Sequence, residues 1–260
     1  MNCHAAGCSA QSSWFRGRLL KRPGYYLQSQ WFCSDACLED GVLRKLEARA
    51  STREGTAPFS FQMKLEHVLL VNGIISRDQL AGWHPNMELT RFLLDRELVN
   101  ERDITLALSR IHNIPVINLN GRRIHPSVLN TVPTEIVRTH EFFPLEFVAA
   151  ENSLVLVTCN PSSYPVMINL RGILDCQVAI YISPASIVRD MIENYCELSV
   201  AGHNEEERNE MTGAANPRDA ASWIVRHAKD AGAQSLQVAR FGQFIWTRFL
   251  VGEEPLNYVL

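Results

Sequence analysis

The chain contains no Gly-Lys dipeptide, so a Gly-x4-Gly-Lys-Ser/Thr loop cannot be written anywhere along its 260 residues. That phrase supplies the backbone amides and the lysine that cradle the phosphates of a nucleoside triphosphate, and its absence excludes motor activity of that class. A Gly-x-Ser-x-Gly phrase is absent too, which removes a hydrolase nucleophile elbow. None of the eight histidines (His4, His67, His84, His112, His125, His140, His203 and His227) belongs to a His-Glu-x-x-His phrase, and only His4 neighbours a cysteine. Long apolar runs are missing. The longest, around Asn152–Cys159, is strand-sized, far below the roughly 18 residues of a membrane helix. The opening "MNCHAAGCSAQSS" lacks a basic region followed by an apolar one, so no secretory signal is expected and the cytoplasm is the expected compartment. A formal net charge of -3 provides no global positive excess for nucleic acid.

Cysteine is present, and unevenly so. Of seven, Cys3, Cys8, Cys33 and Cys37 crowd the first 40 residues, while Cys159, Cys176 and Cys196 sit in apolar patterns, as small buried hydrophobes do. In a reducing compartment clustered cysteines are metal ligands more often than disulfides. The spacing is Cys3-x4-Cys8, then 24 residues, then Cys33-x3-Cys37. Two short-range pairs separated by a loop suit tetrahedral zinc. Cys37 is expected in the first turn of a helix, beside free backbone amides that favour thiolate. The phrase "FCSDAC" resembles the second half of treble-clef zinc fingers, where Phe/Tyr-Cys-Ser-x-x-Cys opens the final helix. The first gap of four residues departs from that pattern, and His4 is an alternative ligand. Four cysteines close the coordination sphere, so Zn2+ is expected in a structural role, folding a module too small to fold alone. Trp14, Phe15, Tyr25, Tyr26, Trp31 and Phe32 would supply its core. Within "WFRGRLLKRPGYY", Arg16, Arg18, Lys21 and Arg22 interleave with aromatics. That run reads as a solvated face, with nucleic-acid contact as the alternative.

The fold class expected is α/β (α+β). Residues 1–47 form the zinc-binding finger, ending in a helix over Asp35–Ala48, and 48–60 have linker composition. Residues 61–198 are the main part, a helical repeat over 61–112 and an α/β layer over 113–198. Residues 199–216 form an acidic linker, and 217–260 a helix followed by a two-stranded hairpin. The repeat is visible in "KLEHVLLVNGIISRDQLA" from Lys64 and "ELTRFLLDRELVNERDITLAL" from Glu88, about 24 residues apart. Leu65, Val68 and Leu69 share a helical face, as do Leu89, Phe92 and Leu93. Gly73 suits a C-cap, Ser76 with Gln79 a capping box, and Asn100 an N-cap. Further on, "IPVINL" (Ile114–Leu119) reads as a strand and "PTEIVRTH" as a short helix. "FFPLEFVAA" and "SLVLVTC" read as a hairpin and "QVAIYI" as a strand, and Ser183-Pro184 caps a helix running to about Cys196. Trp223, Phe241, Phe244, Trp246 and Phe249 are expected to form the core of the C-terminal piece.

In their order these phrases resemble the N-terminal domain of type II secretion and type IV pilus assembly ATPases (general secretion protein E, N-terminal domain). That family's Leu-Gly-x-x-Leu-x-x-x-Gly-Leu-Ile-Ser/Thr-x-x-Gln-Leu phrase is followed at Leu65, Leu69, Gly73, Ile74, Ile75, Ser76, Gln79 and Leu80. "IPVINL", "VPTEIVRTH", "FFPLEF" and "LVLVTCNP" follow in the family's order, so the resemblance covers about 62–198. Residues 217–260 resemble the start of the next domain of those ATPases. There the family's Asp-Ile-His is Ser235-Leu236-Gln237, and only Arg248 answers to its arginines. The resemblance implies a non-enzymatic cytoplasmic adaptor or regulator that docks to protein components of a secretion or pilus machine, without the ATPase core. It also raises a second reading, a cyclic di-GMP sensor. Against it, glycines that approach that ligand are replaced by Glu66, Thr90 and Glu97, leaving Lys64 and Arg91 as candidate cation partners. A nucleic-acid-binding zinc finger is the third reading.

Overall fold

Among the described residues two sheets form, one of five strands in the order β2 (Gln30–Phe32), β1 (Tyr25–Leu27), β6 (Ser235–Phe241), β7 (Phe244–Val251), β8 (Glu254–Val259), and one of three in the order β3 (Phe142–Val148), β4 (Ser153–Thr158), β5 (Gln177–Ile182). The computed structural model describes residues 1–10, 24–50, 58–84, 86–200, 216–252 and 254–260. They fall into two compact units. The first comprises Met1–Arg53, Asn169–Asp175 and Asn204–Leu260, and the second Glu54–Ile168 and Cys176–His203. Among the described residues no helix is long and apolar enough to cross a membrane.

The first unit begins with a short hairpin, β1 (Tyr25–Leu27) against β2 (Gln30–Phe32), turned at Gln28 and Ser29, whose φ values are 47° and 70°. Ser34 then caps α1 (Asp35–Ala50): its carbonyl accepts from Leu38 N at 2.9 Å and its hydroxyl from Cys37 N at 3.3 Å. Near the other end of the chain, Asn216 caps α9 (Pro217–Asp230) by accepting from Arg218 N and Asp219 N. The buried stripe of α9 is Ala220, Ala221, Ile224, Val225 and Ala228. Three antiparallel strands follow, β6 (Ser235–Phe241), β7 (Phe244–Val251) and β8 (Glu254–Val259). β1 lies parallel to β6, with Tyr26 opposite Ser235 and Leu27 opposite Leu236. Helix α7 (Arg171–Leu174) packs against β6.

Residues 1–47 and 217–260, read in the sequence as two separate pieces, therefore share one sheet and one core. Leu27, Phe32, Leu38, Val42 and Leu46 are buried in the same cluster as Ile224, Leu236, Val238 and Phe249. Gly41 permits this packing, because a Cβ there would meet the Phe32 ring at 2.5 Å. The C-terminal hairpin also gains a third strand. β8 is an edge strand, where Pro255 can dispense with an N–H, and it turns Leu256 and Tyr258 onto the core.

In the second unit the repeat is exact in its capping. Helix α2 (Pro58–Val71) ends at Gly73, φ 66°, with Ile74 N donating to Leu69 O at 3.0 Å. Helix α3 (Leu89–Asp95) ends at Glu97, φ 55°, with Leu98 N donating to Leu93 O at 3.0 Å. Ser76 and Gln79 exchange capping bonds of 2.8 and 3.4 Å ahead of a 3-10 turn. Asn100 and Asp103 exchange bonds of 3.3 and 2.9 Å at the start of α4 (Glu101–His112). Leu65, Leu69, Leu89, Phe92, Leu93, Ile104 and Leu108 bury together.

The α/β layer follows with α5 (Thr134–His140), β3 (Phe142–Val148), β4 (Ser153–Thr158), α6 (Tyr164–Asn169), β5 (Gln177–Ile182) and α8 (Ala185–Val200). β4 is central, antiparallel to β3 and parallel to β5, and all of its residues are buried. Tyr195 of α8 is fully buried and donates to Val132 O at 2.7 Å, pinning the loop before α5.

Two local expectations are corrected. Ile114–Leu119 forms no strand, only a bridge of Val116 to Ile182, because Pro115 lacks a donor and β5 ends one residue before Ser183-Pro184. Ser183 does not cap α8, since its hydroxyl donates to Ile117 O at 3.3 Å. Glu101 takes that role from α4, its Oε2 accepting from Ser186 N at 3.0 Å and Ser186 Oγ at 2.6 Å.

The left-handed backbone at Glu97 costs a side-chain-bearing residue about 1–2 kcal/mol, partly offset by glycine's freer unfolded chain. Glu97→Gly is therefore expected to stabilise by about 0.5–1 kcal/mol, read as a higher urea midpoint at unchanged slope. Glu101→Ala strips the cap from α8 and should cost about 1 kcal/mol. In a Ser186→Ala background the same substitution should cost measurably less, and full additivity of the two would remove Glu101 from the cap.

Candidate functional site

Cys3, Cys8, Cys33 and Cys37 converge at the N-terminal end of α1, all four sulfurs lying within 4.8 Å of one another. Each pair is placed by local structure. Cys3 N donates to Ala10 O at 2.9 Å and Cys8 N to Ala5 O at 3.2 Å, folding the first ten residues into a hook. His4 N donates to Trp31 O at 3.1 Å, laying that hook along β2. From α1, Arg44 Nη2 donates to His4 O at 2.8 Å, and Asp40 accepts from Ala6 N at 3.2 Å. Cys33 stands at the exit of β2 and Cys37 one turn later.

Cys8 Sγ lies 3.7 Å from Cys33 Sγ, which lies 3.6 Å from Cys37 Sγ. A disulfide would need about 2.05 Å. A tetrahedron of sulfurs with metal bonds of about 2.3 Å has edges of about 3.8 Å, so the spacing fits zinc in its four-thiolate geometry. Burial opposes charge on Cys3, yet the amides of Ala5 and Cys33 and the thiols of Cys33 and Cys8 donate to it and bring its pKa down to about 7. Burial, aided by bonds to Cys37, Cys8 and Cys3, pushes Cys33 up to about 12. Full ionisation of four thiols this close is opposed by their mutual repulsion unless a cation lies between them. Among the described residues no other group of three or more His, Cys, Asp or Glu side chains converges in this way. His4 is not part of the cluster; its Nδ1 lies 3.4 Å from Trp31 O.

The second unit holds a cleft of about 170 Å³ lined by Glu88, Thr90, Glu101, Glu141, Asn160 and Arg189, among others. Its chemistry is acidic: Arg189 is paired to Glu141 at 3.3 Å, and Glu101 serves α8. The candidate cation partners Lys64 and Arg91 do not meet there. Lys64 lines a hollow with Met63, His67, Val68 and Ile111, and Arg91 a different one with Met87, Phe92, Asp95 and Arg96. Glu97 is exposed and Glu66 half-buried.

Cys176 and Cys196 are buried and Cys159 half-buried. Burial, with the charge of Glu141, pushes Cys159 up to about 12, so it is a poor nucleophile. Arg248 lies within the five-stranded sheet, opposite Gln237 and Asn257. Phe241, Trp246 and Phe249 are buried, as expected of a core. The run Arg16, Arg18, Lys21 and Arg22, with Trp14 and Phe15, lies outside the described residues, as do 51–57 and 201–215 of the expected linkers 48–60 and 199–216, whose remaining residues belong to α1, α2 and α8 or cap α9. The ion pair of Asp35 with Lys229, at 3.0 Å, was not foreseen; no periodicity signals a contact over that sequence distance.

Residues 112–201 match the model of the MshEN domain. The helical repeat from Lys64 precedes most of that match. Over 137 residues the chain is 26% identical to the type IV pilus assembly ATPase PilB of Myxococcus xanthus (strain DK1622), covering 51% of this chain and 24% of that protein. The chain thus matches about a quarter of that relative's length. A solved structure of MshE with cdg aligns at 19% identity and a TM-score of 0.43, covering 50% of this chain and 97% of that one. The N-terminal domain of XpsE aligns at 15% identity and a TM-score of 0.41, covering 54% and 97%. Over residues 112–201 the chain is thus similar to the MshEN domain, the N-terminal domain of GspE/PilB-type ATPases.

Proposed function

We propose that this chain is a non-enzymatic cytoplasmic adaptor or regulator related to type II secretion and type IV pilus assembly ATPases, acting through its MshEN-type domain on protein components of such a machine. The match of residues 112–201 to that domain carries the reading. The lack of any Gly-Lys dipeptide supports a role other than nucleotide-driven motion. A structural zinc ion belongs to the same reading, held by Cys3, Cys8, Cys33 and Cys37, whose sulfur spacing supports it. With all four positions taken by protein ligands the ion would leave no place for substrate and would serve the fold.

A second reading, a cyclic di-GMP sensor, draws on the solved MshE with cdg and on the doubled helical phrase. The carboxylates at Glu66 and Glu97 and the separate hollows of Lys64 and Arg91 weigh against it, since a dianionic ligand needs convergent cations.

Purified full chain immobilised as bait is expected to retain purified secretion or pilus platform proteins, and a panel in which none binds would count against the adaptor role. Calorimetric titration with cyclic di-GMP is expected to give no saturable heat at micromolar ligand. A stoichiometric isotherm there would promote the sensor reading instead.

A further inference from the structure

The first turn of α1 carries two sets of contacts at once. Cys33 and Cys37 turn toward the sulfur cluster. Asp35, between them, accepts from Tyr25 of β1 at 2.8 Å and pairs with Lys229 of α9 at 3.0 Å. One turn on, Glu39 accepts from Ser222 of α9. The turn that would grip the metal is therefore the turn on which the C-terminal segment is seated, 194 residues away in sequence at the Asp35–Lys229 pair.

The strand pairing of the N-terminal part is slight, so its place rests on α1 and the core that α1 shares with the C-terminal segment. β1 and β2 have three residues each, and a two-stranded hairpin of that size is not stable alone. Only two residue pairs join β1 to β6, Tyr26 with Ser235 and Leu27 with Leu236, supplemented by Gln28 Nε2 donating to Val238 O at 2.9 Å. The C-terminal segment depends in turn on α1. Ile224, Leu236, Val238 and Phe249 share their cluster with Phe32, Leu38, Val42 and Leu46. Without those residues the face of the β6–β8 meander that carries Leu236, Val238 and Phe249 and the stripe of α9 would lie open to water, and the four-residue α7 is too short to replace α1 as a covering layer.

We infer that metal occupancy at Cys3, Cys8, Cys33 and Cys37 governs whether the C-terminal segment, α9 with β6 to β8, is folded. The inference rests on the reading of the four cysteines as a zinc centre. It adds that the ion, though bound entirely by N-terminal residues, stabilises the far end of the chain, while the second unit, with a core of its own around Leu65, Leu93 and Ile104, folds without it. Binding free energy at a structural zinc site is folding free energy for whatever that site organises. Here what it organises is a sheet built from both ends of the sequence.

The test uses the full chain. Zinc is measured by elemental analysis before and after stripping with a chelator and after re-addition, and amide hydrogen exchange is followed over 235–251 and over 142–158. The expected result is about one zinc per chain, loss of protection by about tenfold or more over 235–251 on stripping, recovery on re-addition, and unchanged protection over 142–158. Cys33→Ser with Cys37→Ser should reproduce the stripped pattern, and chelation of the unaltered chain keeps the test open if that variant is not recovered. A zinc-loaded chain whose 235–251 protection survives verified stripping would overturn the inference and leave the zinc centre standing. Loss of protection in both regions together would also overturn it. A chain that binds no zinc would overturn the zinc reading itself.

Discussion

The first unit depends on one turn of helix. Ser34 fixes where α1 begins, and that choice places Cys33 and Cys37 on the sulfur cluster and Asp35 between Tyr25 and Lys229. Shifting the start of the helix by one residue would rotate Cys37 and Asp35 by about 100° and break both sets of contacts together. Exposed ion pairs contribute little by themselves, and Asp35 with Lys229 is exposed on both sides. Its value here lies in direction: it sets the facing of α9 on α1 while small residues, Gly41 under Phe32 and the alanines of α9, allow the layers to close.

The second unit rests on duplication with divergence. The two helical phrases share their buried leucines, their left-handed ends and their reciprocal caps, yet the second has replaced glycine by glutamate at a backbone position that still turns left-handed. The left-handed turn is thus made once by the residue best suited to it and once by a residue that bears a side chain. Glu101 shows the same economy, belonging to the capping turn of α4 while closing the start of α8.

Much of this was legible in the sequence where the signal is local. The helix from Asp35, the two repeat helices, the capping residues Gly73, Ser76, Gln79 and Asn100, and strands β3, β4, β5 and β6 all follow from periodicity and turn chemistry. So does the pairing of the four cysteines by spacing, which the structure brings together. What escaped depends on partners. "IPVINL" has strand composition, but its neighbour β5 runs out at Ser183, and no residue within the phrase could announce that. Ser183 looks like a cap until Glu101, 82 positions earlier by the numbering, proves better placed. β8 has a proline as its second residue and reads as a tail unless the edge it joins is known. The union of β1 with β6 is a pairing of three-residue and seven-residue strands across most of the chain, which composition cannot reveal.

A sheet woven from both ends has a consequence during synthesis. β1 leaves the ribosome long before β6, and at roughly 5–20 residues per second the interval of about 200 residues lasts on the order of 10–40 s. By the end of that interval the second unit, encoded between them, has all the strands and helices it needs. The nascent N-terminus does not: Phe32, Leu38, Val42 and Leu46 wait for the helix and strands that will cover them.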